Sequence, residues 1–136
     1  MTHTMLKTLM ASLVTATIAS ATLVTPADAG SISINLEPKN AKQEQAMRAG
    51  LTIYAIVNAV ENGSIKQLGN GNSAGLAQLG SGNLGIIHQE GDNHNGTLVQ
   101  DGNGNACGLF QFGKGTNADV VQAGNGKTCA TFAFGW

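Results

Sequence analysis

Charged side chains are scarce in this chain, at 11% of its residues, whereas about a quarter is usual for globular domains. The 7 basic and 8 acidic side chains nearly balance, so the basic surface that marks nucleic-acid binding is absent and we expect no nucleic-acid partner. Glycine, by contrast, occurs 19 times. Few charges and much glycine would be typical of a linker or a disordered segment if the sequence had no period.

Residue patterns that carry chemistry are lacking as well. Serine, histidine and acidic residues never occupy converging positions, so the sequence predicts a protein that is not an enzyme. His88 and His94 have no fixed ligand geometry for a metal, and the Gly-x-Gly sequences never open a helix as a phosphate-binding loop does. Calcium-binding nonapeptide solenoids have a different period and a repeated aspartate. We therefore expect neither a metal nor another cofactor.

Long apolar runs occur only near the amino terminus. After Lys7, an apolar run extends from Leu9 to Val24 and is followed by Ala27-Asp28-Ala29, which fits a small-x-small cleavage site. We interpret residues 1–29 as a Sec-type secretory signal peptide, with an amino-terminal anchor as the alternative. The run is shorter, and richer in Thr and Ser, than the roughly 20 apolar residues of a membrane span. The mature chain, beginning near Gly30, is expected to contain no span.

A fixed spacing of eleven residues organises the carboxyl-terminal half of the chain. Six glutamines follow it without insertion or deletion: Gln67, Gln78, Gln89, Gln100, Gln111 and Gln122. A glycine stands two residues after each of them: Gly69, Gly80, Gly91, Gly102, Gly113 and Gly124. A last unit keeps Gly135 but has Ala133 in place of the glutamine. A constant period of this kind marks a repeat architecture.

Three positions of each unit alternate along the chain. A small residue precedes a branched residue by two positions, and the branched residue precedes the glutamine by two. The small residues are Ala74, Gly85, Gly96, Cys107, Ala118 and Cys129. The branched residues that we expect in the core are Leu76, Ile87, Leu98, Leu109 and Val120, with Thr131 in the last unit. Because alternate residues of a strand share a face, each unit predicts one strand with these three side chains directed inward.

Clusters of the form Gly-x-Gly-Asn separate the predicted strands. Glycine and asparagine tolerate the positive φ angles of tight turns, so the six glycines above are predicted turn residues. Three asparagines are expected to act with them: Asn72, Asn83 and Asn105. The same position holds His94, Thr116 and Lys127 in other units, so those turns are expected to be less regular.

These patterns predict an all-β repeat over residues 61–136, a flattened parallel β-solenoid of the cross-β kind with two strands per turn and a short helical segment before it. Identical glutamines stacked about 4.8 Å apart satisfy one another, where an unpaired buried amide would cost about 1 to 3 kcal/mol. The terminal strands expose backbone groups, and so short a stack buries little apolar surface. We therefore expect a homopolymer that grows end to end into a cross-β fibre.

Residues 30–60 lie outside the repeat. A short alternating strand is predicted to end at Pro38: Ile32, Ile34 and Leu36. Asn40 with Gln43 three residues later is typical of a helix start, and an apolar stripe follows at helical spacing: Met47, Leu51, Tyr54 and Val57. The stretch from Leu51 to Val60 would also suit a strand. The segment is either a cap for one end of the solenoid or an address read by an export apparatus.

The pattern Gln-x-Gly-x-Gly-Asn-x-Ala-x-x-x-Gln, intact from Gln67 to Gln78, resembles the curlin repeat of curli fibre subunits, and the likeness extends from about Glu61 to the end. The resemblance implies a bacterial subunit that passes through the periplasm and an outer-membrane secretion pore. It also implies assembly on the cell surface as a functional amyloid (a fimbrium-like or pilus-like fibre) that supports adhesion and biofilm matrix. Residues 30–60 would direct the subunit to the pore, and a nucleator subunit would be a further partner.

Cys107 and Cys129 occupy the same small-residue position one full coil apart. Stacked neighbours would have Cα atoms about 4.8 Å apart, within the range that a disulfide accepts. Parallel cysteines, however, leave their Cβ atoms slightly too far apart without a local shift. Two buried apolar fillers are the alternative, while an oxidising periplasm favours the bridge. Both interpretations stay open.

The outward face carries two aromatic columns near the carboxyl end. Phe110 is predicted to stack with Phe132, and Phe112 with Phe134. Such columns could contact a second filament or the next subunit, or they could be an apolar patch that the amino-terminal helix shields.

Two classes of function follow. The preferred one is a structural subunit of an extracellular amyloid fibre, either its main building block or a minor nucleator. The alternative is a secreted β-solenoid that binds a surface such as ice or a glycan without polymerising. Ice binding usually requires a regular outward array of threonine, and the outward positions here hold Ala, His, Val, Phe and acids instead.

Overall fold

A computed structural model describes the backbone of residues 22–24 and all of residues 30–136. The predicted signal peptide therefore lies outside the described residues, apart from residues 22–24. In chain order the elements are β1 (Thr22–Val24), β2 (Ser31–Leu36), α1 (Ala41–Val57), β3 (Gly63–Leu68), β4 (Ser73–Leu79), β5 (Leu84–Asp92), β6 (Asn95–Asp101), β7 (Ala106–Lys114), β8 (Asn117–Ala123) and β9 (Thr128–Gly135).

The repeats form a β-solenoid of about three turns, as predicted. Strands β3, β5, β7 and β9 stack in parallel in one sheet, and β4, β6 and β8 stack in parallel in the other. Partners are twenty-two residues apart throughout, so that Gln67 pairs with Gln89 and Gln78 with Gln100. The period of eleven thus carries the chain across to the other sheet at every unit. The predicted fold class is confirmed.

Two apolar cores lie on opposite faces of the larger sheet. The inner core fills the solenoid and contains Ile87, Leu98 and Leu109, which are fully buried. The outer core lies between the larger sheet and α1, where Met47 and Leu51 of the helix pack with Phe110 of β7. Burial of these side chains stabilises the docked helix, since each fully buried large apolar side chain contributes about 1.5 to 3 kcal/mol.

The helix begins as its sequence predicts. Asn40 accepts a hydrogen bond from the Gln43 backbone N–H at 2.9 Å, and the Gln43 side chain accepts one from the Lys39 N–H at 2.9 Å. The alternative strand from Leu51 to Val60 is wrong, because α1 continues to Val57. Including Val57 in the apolar stripe was also wrong. Val57 is 43% exposed, and Ala55 is buried against the outer core instead.

The amino-terminal segment covers one end of the larger sheet. Strand β2 pairs antiparallel with β9, and β1 pairs antiparallel with β2. Ile34 lies opposite Phe132 on the side of the helix. Strand β2 thus covers the carboxyl-terminal edge of one sheet only, as a cap would.

Polar contacts fix α1 on the sheet. The Arg48 guanidinium donates to the backbone oxygens of Gly104 and Gly126, each at 3.2 Å. The Tyr54 hydroxyl hydrogen-bonds Nδ1 of the buried His88. Burial raises the pKa of Tyr54 above its ordinary value, so its hydroxyl stays protonated at neutral pH.

We predict that Tyr54→Phe lowers the free energy of unfolding by about 1 to 3 kcal/mol, because the buried imidazole loses a hydrogen-bond partner. Guanidinium denaturation measures the change. Ile56→Ala is the control, because Ile56 is in the same helix but 74% exposed, and it should change stability by less than about 0.5 kcal/mol. Equal losses in the two variants would contradict the docked position of the helix.

Candidate functional site

The inner glutamines form two hydrogen-bonded ladders. In the larger sheet, Gln67 Nε2 donates to Gln89 Oε1, and Gln89 Nε2 donates to Gln111 Oε1, each at 2.8 Å. In the smaller sheet, the matching bonds run from Gln78 to Gln100 and from Gln100 to Gln122, each at 2.9 Å. Gln89, Gln100 and Gln111 have no exposed surface. All six predicted rungs thus donate to the backbone or to a ladder neighbour.

Four of the six ladder amides also use their second N–H, those of Gln78, Gln89, Gln100 and Gln111. Gln89 Nε2 donates to the backbone oxygen of Ser73 at 2.8 Å, and Gln100 Nε2 to that of Leu84 at 3.1 Å. These acceptors belong to residues just before or at the start of the facing strands, so each amide ties its own sheet to the other. A buried amide left without partners would cost about 1 to 3 kcal/mol, which is why glutamine is tolerated at these positions.

The ladders have a direction. Every Nε2 points toward the carboxyl-terminal end of the stack, and every Oε1 toward the amino-terminal end. No described residue donates to Oε1 of Gln67 or Gln78, the first rungs. Gln122 is the last rung of its ladder, and its Nε2 donates to the Ala106 oxygen at 3.5 Å. The two ends of the molecule are therefore chemically complementary, with acceptors at one end and a donor at the other.

The small inner residues allow the sheets to approach. A Cβ at Gly85 would lie 2.7 Å from Leu76 Cδ1 and 2.9 Å from Gln100 Oε1, distances that real Cβ contacts do not tolerate. Small residues at this position are thus required by the branched and glutamine side chains of the opposite sheet. The predicted core is buried in the middle of the stack, but Leu76 and Val120, on its outermost strands, are only half-buried.

The predicted turn residues do more than turn the chain. All six glycines have positive φ, as with Gly69 at 116°, and a Cβ at Gly69 would overlap the Gly91 backbone oxygen one coil away. Asn83 Nδ2 donates to the Gly102 oxygen at 2.8 Å while Asn83 Oδ1 accepts from the Asn105 N–H at 2.9 Å. Asn72 and Asn105 make the same pair of bonds. These asparagines therefore connect successive coils.

Two of the units have His94 and Thr116 in place of the turn asparagine, and there the side chains themselves connect successive coils. His94 Nδ1 and Thr116 Oγ1 are 2.7 Å apart, and both side chains are buried. Thr116 Oγ1 also accepts from Gln111 Nε2 at 2.9 Å, where the ladder would otherwise end because Ala133 takes the next position. The turn before His94 differs from the others, with Asn93 at positive φ where other units have glycine. The shared position of His94 and Thr116 one coil apart was the sequence signal that could have revealed the pair.

Cys107 and Cys129 are joined by a disulfide, with Cα atoms 4.6 Å apart. The bridge links β7 to β9 inside the inner core. Of the two interpretations left open by the sequence, the structure has the bridge rather than two free thiols.

The aromatic columns are present but differ in exposure. The rings of Phe110 and Phe132 stack with centroids 5.0 Å apart, and those of Phe112 and Phe134 with centroids 5.5 Å apart. Tyr54 of α1 contacts the Phe110 ring edge to face. The helix shields the first column, as one interpretation held, whereas Phe134 in the second is 41% exposed.

Three strand edges of the solenoid have no partner strand among the described residues. They are the outer edges of β3 and β4 at the amino-terminal end and that of β8 at the carboxyl-terminal end. Apolar side chains are exposed beside them, including Ile65 at 44%, Leu79 at 60% and Val121 at 73%. Unpaired backbone next to apolar side chains is typical of a surface onto which another strand adds.

The described part of the chain contains no group of three His, Cys, Asp or Glu placed to hold a metal ion. Within residues 22–24 and 30–136, no helix has the length and apolar character needed to cross a membrane. Comparisons with protein-family models, with characterised proteins and with solved structures find no match for this chain.

We predict that Gln100→Leu lowers the free energy of unfolding by about 1 to 3 kcal/mol for each buried group left without a partner. The Gln78 amide loses its acceptor, and the Gln122 carbonyl oxygen and the Leu84 oxygen lose their donor. Val99→Leu is the matched control, since Val99 is the adjacent, outward residue of β6. Denaturant unfolding compares the variants, and equal effects would contradict the inward assignment.

Replacing both cysteines by serine should lower the free energy of unfolding by about 3 kcal/mol, the value expected for opening a loop of this length. Intact-mass measurement should first show the native chain gaining two hydrogens on reduction. Cys107→Ser alone and Cys129→Ser alone serve as controls, and each should lose as much as the double variant. An unchanged mass on reduction would show that the bridge is absent.

Proposed function

We propose that this chain is the structural subunit of an extracellular fibre of the functional-amyloid type, which grows by stacking subunits end to end along the solenoid axis. The observation that supports it is the complementarity of the two ends. One end presents amide oxygens and the other an amide N–H. Open backbone edges flank both. A second copy supplies the missing partners at each end in the form that the ladder already uses.

The cellular setting of the proposal comes from the sequence. A Sec-type signal in residues 1–29 would carry the chain into the periplasm. An outer-membrane pore that reads residues 30–60 would release it at the surface of a bacterium, where the resemblance to curlin repeats implies adhesion and biofilm matrix. A fibre of stacked strands suits both roles, because its stability comes from repeated backbone pairing rather than from any single partner.

A second candidate is favoured by a specific observation. Strand β2 covers the outer edge of β9, and covered edges are how soluble β proteins avoid polymerising. A secreted solenoid that binds a surface as a single molecule would use β2 in this way. The cover is incomplete, however, because β3, β4 and β8 keep open edges, and so the fibre remains the function that the geometry supports best.

Purified mature chain beginning at Gly30 should form thioflavin-positive fibres after a lag, since partly exposed strand edges drive assembly at micromolar concentrations. X-ray diffraction of aligned fibres should show the meridional reflection of stacked strands at about 4.8 Å. Chain carrying Gln100→Leu should assemble more slowly, and chain carrying Val99→Leu at the parent rate. A parent chain that stays monomeric would support the surface-binding candidate.

A further inference from the structure

The solenoid contains an odd number of strands. Four belong to the larger parallel stack (β3, β5, β7 and β9) and three to the smaller one (β4, β6 and β8). The first and the last strand of the solenoid, β3 and β9, therefore both belong to the larger sheet. At the carboxyl-terminal end, β9 extends one strand beyond β8, which leaves a step in the surface.

A groove occupies this step. It has a volume of about 630 Å³ and lies between β8, the inner side of β9 and the end of β2. Val120 and Gln122 of β8 line it together with Thr131 of β9 and Asn35 of β2. Its floor is the unpaired backbone edge of β8. The shape is that of a missing strand in the smaller sheet.

We propose that β3 of a second copy fills this groove, with the copy rotated by half a turn about the solenoid axis relative to the first. The larger sheet of each subunit then continues as the smaller sheet of the next. The inference rests on the proposed fibre function and names the geometry of its contact. It follows from the period, because eleven residues, not twenty-two, separate equivalent inner positions, and so either sheet can continue the other.

The register of the rotated copy continues all three inner columns of β8. Gly63 of the second copy lies over Ala118, Ile65 over Val120, and Gln67 over Gln122. These pairs are small on small, branched on branched and amide on amide. Gln122 Nε2 then meets Gln67 Oε1, the acceptor to which no described residue donates. The exposed side chain of Ile65 and the half-buried one of Val120 cover each other.

Without rotation the inner columns of the smaller sheet are interrupted. A copy stacked in the same orientation places β3 on β9, so that Gln67 lies over Ala133 and Ile65 lies over Thr131. The Gln122 ladder then faces an empty strand position, and the edge of β8 stays unpaired. Only the rotated copy pairs the open edge of β8 and extends its ladder; in either orientation a glutamine of the second copy, Gln67 or Gln78, lies over Ala133 of β9.

The outward face is consistent with the same register. Thr97 Oγ1 donates to Asp119 Oδ1 at 2.6 Å one strand below the groove. Ser64 of the rotated copy takes the next place in that column, where its hydroxyl can donate to the same carboxylate. Helix α1 packs on the larger sheet and reaches the groove only through Glu44 in its first turn, and rotation places the second copy's helix on the opposite side of the fibre.

Binding of the second copy displaces strand β2 from β9. Once β3 of the second copy lies on β8, its β4 lies directly above β9, where β2 of the first copy is paired. Strand β4 covers seven residues and β2 six, so the incoming strand replaces the backbone pairing that it displaces. Strand β2 therefore acts as a competitor for the growing end.

Paired cysteines distinguish the two orientations. Leu68→Cys with Ala123→Cys brings thiols together only in the rotated contact, and Leu68→Cys with Phe134→Cys only in the unrotated one. All three positions are exposed, and stacked cysteines in this fold bond to each other, as Cys107 and Cys129 do. Within one chain, β3 is separated from β9 by two strands and lies in the other sheet from β8, so neither pair closes intramolecularly.

Fibres of the first variant, oxidised and run on a non-reducing denaturing gel, should give a ladder of covalent multimers that reduction removes, and the second variant should give none. Peptide mapping should identify the bond between positions 68 and 123. A ladder from the second variant, or fibres without cross-links in both, would overturn the rotated contact while leaving the fibre itself. A parent chain without fibres would overturn the proposed function together with this contact.

A lock on β2 tests the exchange independently. Asn35 pairs with Thr131 across β2 and β9, so Asn35→Cys with Thr131→Cys should hold the cap in place. Oxidised protein should lose fibre growth and regain it on reduction, with the parent chain under the same reductant as the control. Growth of the oxidised variant at the parent rate would show that the edge of β9 is not used, and would overturn the contact.

Discussion

An inner glutamine amide has two N–H groups, and in the middle of the stack, at Gln89 and Gln100, the fold provides an acceptor for both. One acceptor is the next amide of the ladder, and the other is a backbone oxygen at the facing strand. The first requires parallel strands in exact register, and the second requires the two sheets to stay close. Small residues opposite the amides follow from that closeness. Register, sheet separation and the choice of inner side chains therefore depend on one interaction.

The repeat half of the chain could be predicted from sequence because every unit carries the same information. Strand faces, turn glycines and stacking partners all follow from one spacing, and six copies of a weak signal make a strong one. The buried bond between His94 and Thr116 was missed because it falls where the pattern is broken. The linking role of Asn83 was missed because a turn asparagine is explained well enough by its φ preference.

The amino-terminal segment was less predictable for a different reason. A strand and a helix were readable from alternation and from the Asn40 cap, but their partners were not. Strand β2 pairs with β9, about a hundred residues later, and no period relates the two. The outer core likewise depends on long-range contacts, since Met47 and Leu51 are buried in one cluster with Phe110 of β7 and Phe132 of β9. Sequence patterns show which face of a single helix or strand is apolar. Which other element packs against that face depends on contacts between residues far apart in the chain.

The disulfide also makes one end of the solenoid more resistant to local unfolding than the other. It fastens the last strand to its neighbour, and β2 and α1 reinforce the same end. At the other end, β3 and β4 are held on one side only and leave Ile65 in contact with water. In a solenoid each unit is stabilised mainly by its contacts with adjacent units. Transient opening of backbone hydrogen bonds should therefore begin at β3 and stop before β7. Amide protons would then exchange with solvent along a gradient, fastest in the first coil and slowest beside the sulfur bridge.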